Sequence, residues 1–137
     1  MKAYITKRYT FPASHRLHCE DLSDAENEAI YGKCSRPHGH GHNYAVEITI
    51  GGPVDARTGM VCDLAELDAI VSDQILAVFD HANLNTLPAF QTRVPTTENL
   101  CLAIFAILRK QFHTATVEQV RIEETRKNSF ACGNVRP

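Results

Sequence analysis

The sequence lacks most of what would mark a secreted, membrane-bound or nucleic-acid-handling chain. The opening Met1-Lys2-Ala3-Tyr4-Ile5-Thr6 turns polar at once, which argues against a signal peptide. No apolar run is long enough to span a bilayer. The formal net charge is only −2, so no general nucleic-acid footprint is present. There is no repeat, no low-complexity segment, no linker and no Gly-rich dinucleotide fingerprint. The five cysteines (Cys19, Cys34, Cys62, Cys101, Cys132) are odd in number, scattered and without CxxC spacing. Free thiols in a reducing cytoplasm are therefore expected rather than a disulfide framework. What remains is an ordinary soluble composition, 44% apolar and 22% charged, and a length that suits one domain over 1–137 with its own core.

Histidine is the residue in excess: seven in 137 positions, with His15, His38, His40 and His42 in the N-terminal third. His40 and His42 run straight into an alternating segment. Tyr44, Val46, Ile48 and Ile50 make its apolar face, and Asn43, Glu47 and Thr49 lie on the other. The two histidines share the parity of the apolar face unless a bulge at Gly41 breaks the alternation. Buried imidazoles need partners, and a divalent metal satisfies two at once.

The rest of the chain sorts by period and punctuation. Ala3 to Phe11 reads as a strand with Ile5, Tyr9 and Phe11 on one face. Ser23 with Glu26 is a capping box for a short helix that Gly32 could end. Asn43 to Ile50 is the second strand, which Gly51-Gly52-Pro53 is expected to stop, and Met60 to Cys62 reads as a short extended return. Asp63 with Glu66 starts a long helix ending near Phe79, with Leu64, Leu67, Ile70, Val71, Ile75 and Val78 as its apolar stripe. Thr96 or Thr97 starts a second, apolar all round from Leu100 to Leu108, which reads as a core helix or one partly facing another subunit. Val117 to Thr125 is a further strand, and Phe130 begins a final extended piece. Strands at both ends with two helices between favour an α+β fold with an antiparallel sheet.

Several residues could carry chemistry. If the first two strands pair, His15 approaches His40 and His42. Three imidazoles suit Zn²⁺ at about 2.0–2.1 Å and leave a fourth position open, the mark of a catalytic site. His38 is a competitor ligand; His18 and His113 read as surface or satisfied core residues. Cys34 is either an inert thiol or a thiolate stabilised by the metal and by Lys33 or Arg36. Asp80-His81 is either a helix end or a carboxylate orienting an imidazole for proton transfer. Glu124 ends the row Val120, Ile122, Glu124, where a carboxylate can accept two parallel hydrogen bonds from an N–H/NH₂ edge. Thr96-Thr97-Glu98 is a helix start whose free N–H groups can also hold polar ligand atoms.

Taken in order, these motifs make the chain resemble the 6-pyruvoyltetrahydropterin synthase family. They are Phe11-Pro12-Ala13-Ser14-His15-Arg16-Leu17-His18, Leu22-Ser23-Asp24 with Gly32-Lys33-Cys34, His40-Gly41-His42-Asn43-Tyr44, Thr58-Gly59-Met60-Val61, Asp80-His81-Ala82-Asn83-Leu84, Pro95-Thr96-Thr97-Glu98-Asn99 and Glu124-Thr125. The resemblance implies a tunnelling fold (T-fold), an antiparallel four-stranded sheet with two helices on one face, in which three subunits close a barrel, two trimers stack into a hexamer, and active sites lie between subunits. It implies His15, His40 and His42 as zinc ligands, Cys34 as catalytic base, and Asp80 with His81 completing a proton relay from a neighbouring chain. Glu124 would anchor the amino-pyrimidine edge of a pterin, with Thr96 and Thr97 lining that pocket. The substrate implied is 7,8-dihydroneopterin triphosphate, and Lys33, Arg36, Arg126 and Lys127 are candidates to receive its triphosphate. In shorter relatives the cysteine lies closer to its HxH pair, a spacing that would select His38 and His40; His-Asn-Tyr running into the strand favours His40 and His42. A branch with glutamate in place of the cysteine is tied to folate synthesis, and Cys34 argues against it.

Three rivals remain. A 6-carboxytetrahydropterin synthase of the queuosine (deazapurine) pathway shares fold, zinc, cysteine and substrate but releases acetaldehyde. A cupin-like pattern, His40-x-His42-x₄-Glu47, is partly met, but Glu47 points to the other strand face and two long helices do not suit a small barrel. A non-enzymatic zinc protein would close its tetrahedral site with Cys34 or His38.

Overall fold

The computed structural model describes residues 1–134; the expected domain's positions 135–137 lie outside the described residues. Its elements in chain order are β1 (Lys2–His15), α1 (Asp24–Tyr31), a 3₁₀ turn Gly32–Ser35, β2 (His40–Pro53), α2, β3 (Ala82–Asn83), α3 (Thr97–Leu108), β4 (Thr116–Thr125) and β5 (Asn128–Gly133). Helix α2 is built of three stretches that follow without a break: Leu64–Val71, a π-helical turn Ser72–Leu76 and Ala77–Phe79. The sheet order is β3-β1-β2-β4-β5. All neighbours are antiparallel except β1 and β3.

The α+β architecture is as expected, with two corrections to the sheet. It has five strands rather than four, because the two-residue β3 runs parallel to Ala13–Ser14 at the edge. So short a strand leaves no periodic signal in sequence. The first two strands are also longer than punctuation suggested. Pro12 does not end β1, because its carbonyl accepts from His81 N–H at 2.7 Å. That side of the residue faces the sheet edge, where a missing N–H costs no ladder bond. Nor do Gly51 and Gly52 end β2, which runs on to Pro53. A Cβ at Gly51 would lie 2.8 Å from the Glu118 and Tyr4 side chains, so this glycine answers a close approach. Glu118 is the extra residue where the β2–β4 register shifts; it is buried and paired with Lys2 at 2.7 Å.

Both long helices cover one sheet face. Phe11, Tyr44, Val46, Ile48, Ile50, Val120 and Ile122 meet Leu67, Val71, Ile75, Phe79, Leu100, Ile104 and Leu108 in one core. The opposite face carries a polar network: Thr6 with Thr49 at 2.7 Å, Arg121 to Glu47 at 2.6 Å and Arg8 to Glu123 at 3.3 Å. The cupin-like role for Glu47 fails on this arrangement, since the residue is committed to Arg121 on the face away from the histidines. Asn27 holds the segment before α1. Its amide accepts from Cys19 N–H and donates to the carbonyls of Cys19, Leu22 and Ser23. The capping box at Ser23 and Glu26 forms as expected.

Three other readings change. Met60 to Cys62 is not a strand. Val78 is 42% exposed and Phe79 takes its place in the core. In α3 the exposed side is marked by Leu102, 47% exposed, so the helix is not covered all round in the single chain. The shift from Val78 to Phe79 follows from the π turn. Leu67, Val71, Ile75 and Phe79 are each four residues apart, a spacing that drifts about 40° per step on an α-helix. A wider turn takes back part of that drift and keeps all four on the sheet. Removing exposed Asp73 from this turn restores the alternating four-and-three spacing of a regular α-helix. The Asp73 deletion is therefore expected to leave a folded chain. Deleting Ala103 from α3 turns Ile104 and Leu108 by about 100° and should cost about 4 kcal/mol or more. Thermal melts at one protein concentration compare the two.

Candidate functional site

The site grows from the last rungs of the β1–β2 ladder. The register is unbroken from Lys2↔Pro53 to His15↔His40, so Gly41 carries no bulge and the parity of the histidines holds. His15 and His40 face each other directly, and His42 is the diagonal neighbour. Gly39, with φ +66°, lets the chain enter β2 against His15: a Cβ there would sit 2.4 Å from the His15 carbonyl oxygen.

The three imidazoles converge. His15 Nε2 lies 3.3 Å from His40 Nε2, which lies 2.9 Å from His42 Nε2, and the ligand atoms of all three fall within 4.8 Å of one another. His15 is 2% exposed and the other two are half-buried. The Nδ1 of His15 lies 2.8 Å from the Pro95 carbonyl, which can only accept, so Nδ1 carries the proton and Nε2 presents a lone pair. Tyr44 Oη is 3.3 Å from the same Nδ1. Ligands held tetrahedrally 2.0–2.1 Å from an ion stand about 3.3 Å apart. Two of the cluster's distances, 3.3 and 2.9 Å, stand near that spacing, and its donor set fits a divalent ion of the zinc type.

Two further groups reach the cluster. Cys34, on the 3₁₀ turn, has its Sγ 3.9 Å from His40 Nε2. Glu124, near the end of β4, has Oε1 3.9 Å from His42 Nε2. The buried Thr97 hydroxyl donates to Glu124 Oε2, and Asn128 Nδ2 donates to Oε1 at 3.3 Å. Thr96 is turned to the helix, capping it by accepting from Asn99 N–H at 3.2 Å.

Electrostatically the pocket favours neutral imidazole and neutral thiol. Burial lowers the His15 pKa, the Pro95 carbonyl opposes that, and the neighbouring His40 and His42 lower it further. Burial also lowers His42, against the pull of Glu124. Burial, then Glu124, pushes the Cys34 thiol up. The same two causes hold the Tyr44 phenol protonated.

The other sequence candidates stand apart from the cluster. His81 Nδ1 pairs with Asp80 Oδ1 at 2.8 Å on the surface, and His81 has φ +58°, rare for a residue with a side chain. His81 and His42 line one cleft of about 350 Å³ together with Ser14 and Asn43. His38 is exposed and outside the trihistidine group, His113 is exposed, and His18 stands 3.9 Å from Glu20. Lys33 and Arg36 are exposed. Sequence reasoning missed Pro95, Tyr44 and Asn128. A wholly buried tyrosine must place its hydroxyl against a polar partner, which was the available signal for Tyr44. The carbonyl of Pro95 leaves no mark in side-chain chemistry.

Two measurements follow. One zinc or cobalt ion per chain is expected in the wild type and in His38→Ala. His15→Ala, His40→Ala and His42→Ala should each hold far less after dialysis, read by elemental analysis. In the metal-free chain, His15 and His42 bind fewer protons folded than unfolded once the pH falls below about 6.5. Stability should therefore decline on acidification through that value and stay level above it; a melting temperature unchanged between pH 7.5 and 5.5 would contradict this.

Comparison with known proteins agrees with this geometry. The profile of the family described as 6-pyruvoyl tetrahydropterin synthase matches residues 4–134. A Drosophila melanogaster protein named 6-pyruvoyl tetrahydrobiopterin synthase is 47% identical over 128 residues, covering 92% of this chain and 76% of the relative. An Archaeoglobus fulgidus protein, provisionally named a 6-carboxy-5,6,7,8-tetrahydropterin synthase, is 41% identical over 75% of this chain and 81% of its own. The structure of the Caenorhabditis elegans 6-pyruvoyl tetrahydropterin synthase superposes with a TM-score of 0.91 at 39% identity, covering 97% of this chain and 96% of that one. With its fold, its ordered motifs and this match along nearly its whole described length, the chain belongs to the 6-pyruvoyl tetrahydropterin synthase family.

Proposed function

We propose that the chain is a zinc-dependent carbon–oxygen lyase that converts 7,8-dihydroneopterin triphosphate into 6-pyruvoyltetrahydropterin with elimination of triphosphate. The observation that carries this reading is the junction at His42. Its Nε2 lies 2.9 Å from His40 Nε2 within the trihistidine group and 3.9 Å from Glu124 Oε1, and Thr97 holds the second oxygen of that carboxylate. A substrate with an amino-pyrimidine edge at one end and a hydroxylated side chain at the other fits such a two-ended site. The edge donates to Glu124, and the hydroxyls reach the histidine end.

His15, His40 and His42 would hold the ion, which when bound supplies Lewis acidity toward the side-chain hydroxyls. Cys34 rests as a thiol in its buried setting beside Glu124, and positive charge at the cluster is what would favour its thiolate. From there it takes a carbon-bound proton of the side chain. His81, oriented by Asp80, donates or relays protons. Triphosphate leaves without hydrolysis, and the side chain and ring exchange oxidation level internally, so no nicotinamide enters the balance. Because Asp80 and His81 pair on the surface, a neighbouring subunit supplies them in this reading, as part of a hexamer of two stacked trimers. The place of action is the cytoplasm, consistent with five unpaired cysteines.

The 6-carboxy reaction is kept as the second reading because of the Archaeoglobus relative. Anaerobic incubation of zinc-loaded protein with 7,8-dihydroneopterin triphosphate separates them by mass spectrometry. A 6-pyruvoyl product with triphosphate is expected; a 6-carboxy product with acetaldehyde would move the chain to the deazapurine branch; no turnover with zinc in place would refute both. Cys34→Ala should keep its zinc and lose roughly 10²–10⁴-fold in kcat. Loss of the metal itself would favour a structural, non-enzymatic site.

A further inference from the structure

A second cavity borders His15 of the histidine cluster. It measures about 220 Å³ and is lined by Ser14, His15, Arg16, Pro37, His38, Asn83 and Asn85. His15 belongs both to this wall and to the trihistidine group. None of the lining residues is acidic, and they include a guanidinium, a second imidazole, two amides and a hydroxyl. Among the described residues no carboxylate forms an ion pair with Arg16, although the residue is half-buried. A half-buried cation without a counter-charge is costly unless an anion joins it.

Arg16 is held at its backbone by Asn85 and at its side chain by Ser35. Its N–H donates to Asn85 Oδ1 at 2.7 Å, its carbonyl accepts from Asn85 Nδ2 at 2.9 Å, and its Nε donates to the Ser35 carbonyl at 2.9 Å. The Nε bond to Ser35 restrains the guanidinium before any ligand arrives, which favours binding by pre-organisation. We propose that this cavity is the subsite for the triphosphate chain of the substrate, with Arg16 as its principal cation and His38 as a second N–H donor. The inference rests on the proposed reaction for the identity of its ligand and on the cavity for its location. The cations singled out in sequence fit less well. Arg126 and Lys127 share a cavity of only about 90 Å³ with the carboxylate of Glu123, and Lys33 and Arg36 are exposed on the 3₁₀ turn and beside it.

Inorganic tripolyphosphate is the probe, titrated calorimetrically into zinc-loaded protein, with zinc content measured afterwards. Arg16→Gln is expected to weaken binding roughly tenfold or more at unchanged zinc content. Arg16→Lys, which keeps the charge but not the planar fork, should fall between. His38→Ala, at an exposed position that folding does not depend on, should show a smaller loss. Lys127→Ala should bind as the wild type does. Equal affinity in wild type, Arg16→Gln and His38→Ala, no binding by the wild type, or a loss confined to Lys127→Ala would each overturn the proposal. The proposed reaction fails separately. Tripolyphosphate bound through Arg16 without turnover of the dihydropterin keeps the subsite and sinks the reaction; turnover with an indifferent Arg16→Gln does the reverse.

Discussion

The antiparallel ladder between β1 and β2 is the constraint on which the rest depends. It sets fourteen residues of each strand in one register without a shift, and its last rung is His15 opposite His40. A slip of one residue would turn every side chain of one strand to the other face. It would carry Phe11 out of the core and separate His15 from its partners together. The same interaction therefore secures the apolar interior and the donor cluster, and a slip in register loses both at once. Gly39 belongs to this constraint, since the backbone passes so close to His15 that a side chain has no room.

The cluster is also a place where charge is mismatched until a ligand arrives. Three imidazole nitrogens crowd one point, burial favours the neutral forms of His15 and His42, and Glu124 stands beside them with a thiol close by. Within the protein the carboxylate is partly answered by Thr97 and Asn128, neither of them charged. A divalent cation at the histidines would shift the balance for the thiol, because positive charge there opposes both the burial and the carboxylate that keep it protonated. Glu124 thus has two opposed effects. It holds the thiol protonated in the cation-free site, and it offers lone pairs to any ligand presenting paired N–H donors.

Much of this was legible in sequence where period and local chemistry coincide. His40 and His42 could be placed on the buried face because strand parity is strict and nothing at Gly41 interrupts it. The Ser23–Glu26 box and the Thr96 cap are signals written within four residues. What escaped is written across the fold. Pro12 and the Gly51-Gly52-Pro53 run look like strand breakers until the ladder and the β4 bulge show which backbone groups need partners. Val78 fits a helical stripe until a π turn rotates Phe79 into its place. Arg16 follows a ligand histidine and draws no notice as one arginine among many. Asn85, which holds its backbone, lies 69 residues away, and only folding sets the Ser35 carbonyl against its guanidinium.

The Asp80–His81 pair shows how far one chain can be read as a complete site. His81 adopts φ +58°, a conformation that costs a residue bearing a Cβ about 1 kcal/mol or more. The bond from its N–H to the Pro12 carbonyl fixes it there, against the edge of the sheet. The imidazole so placed is 78% exposed and its carboxylate partner 43%, so an ion pair between them contributes little to stability. Strain kept without a stabilising return points to a positional role. The position is a cleft wall shared with His42, open to solvent in the single chain. In a hexamer a neighbouring copy seated against that edge would exclude water from the cleft and strengthen each polar interaction inside it, which would suit His81 to proton transfer at that neighbour's histidine cluster.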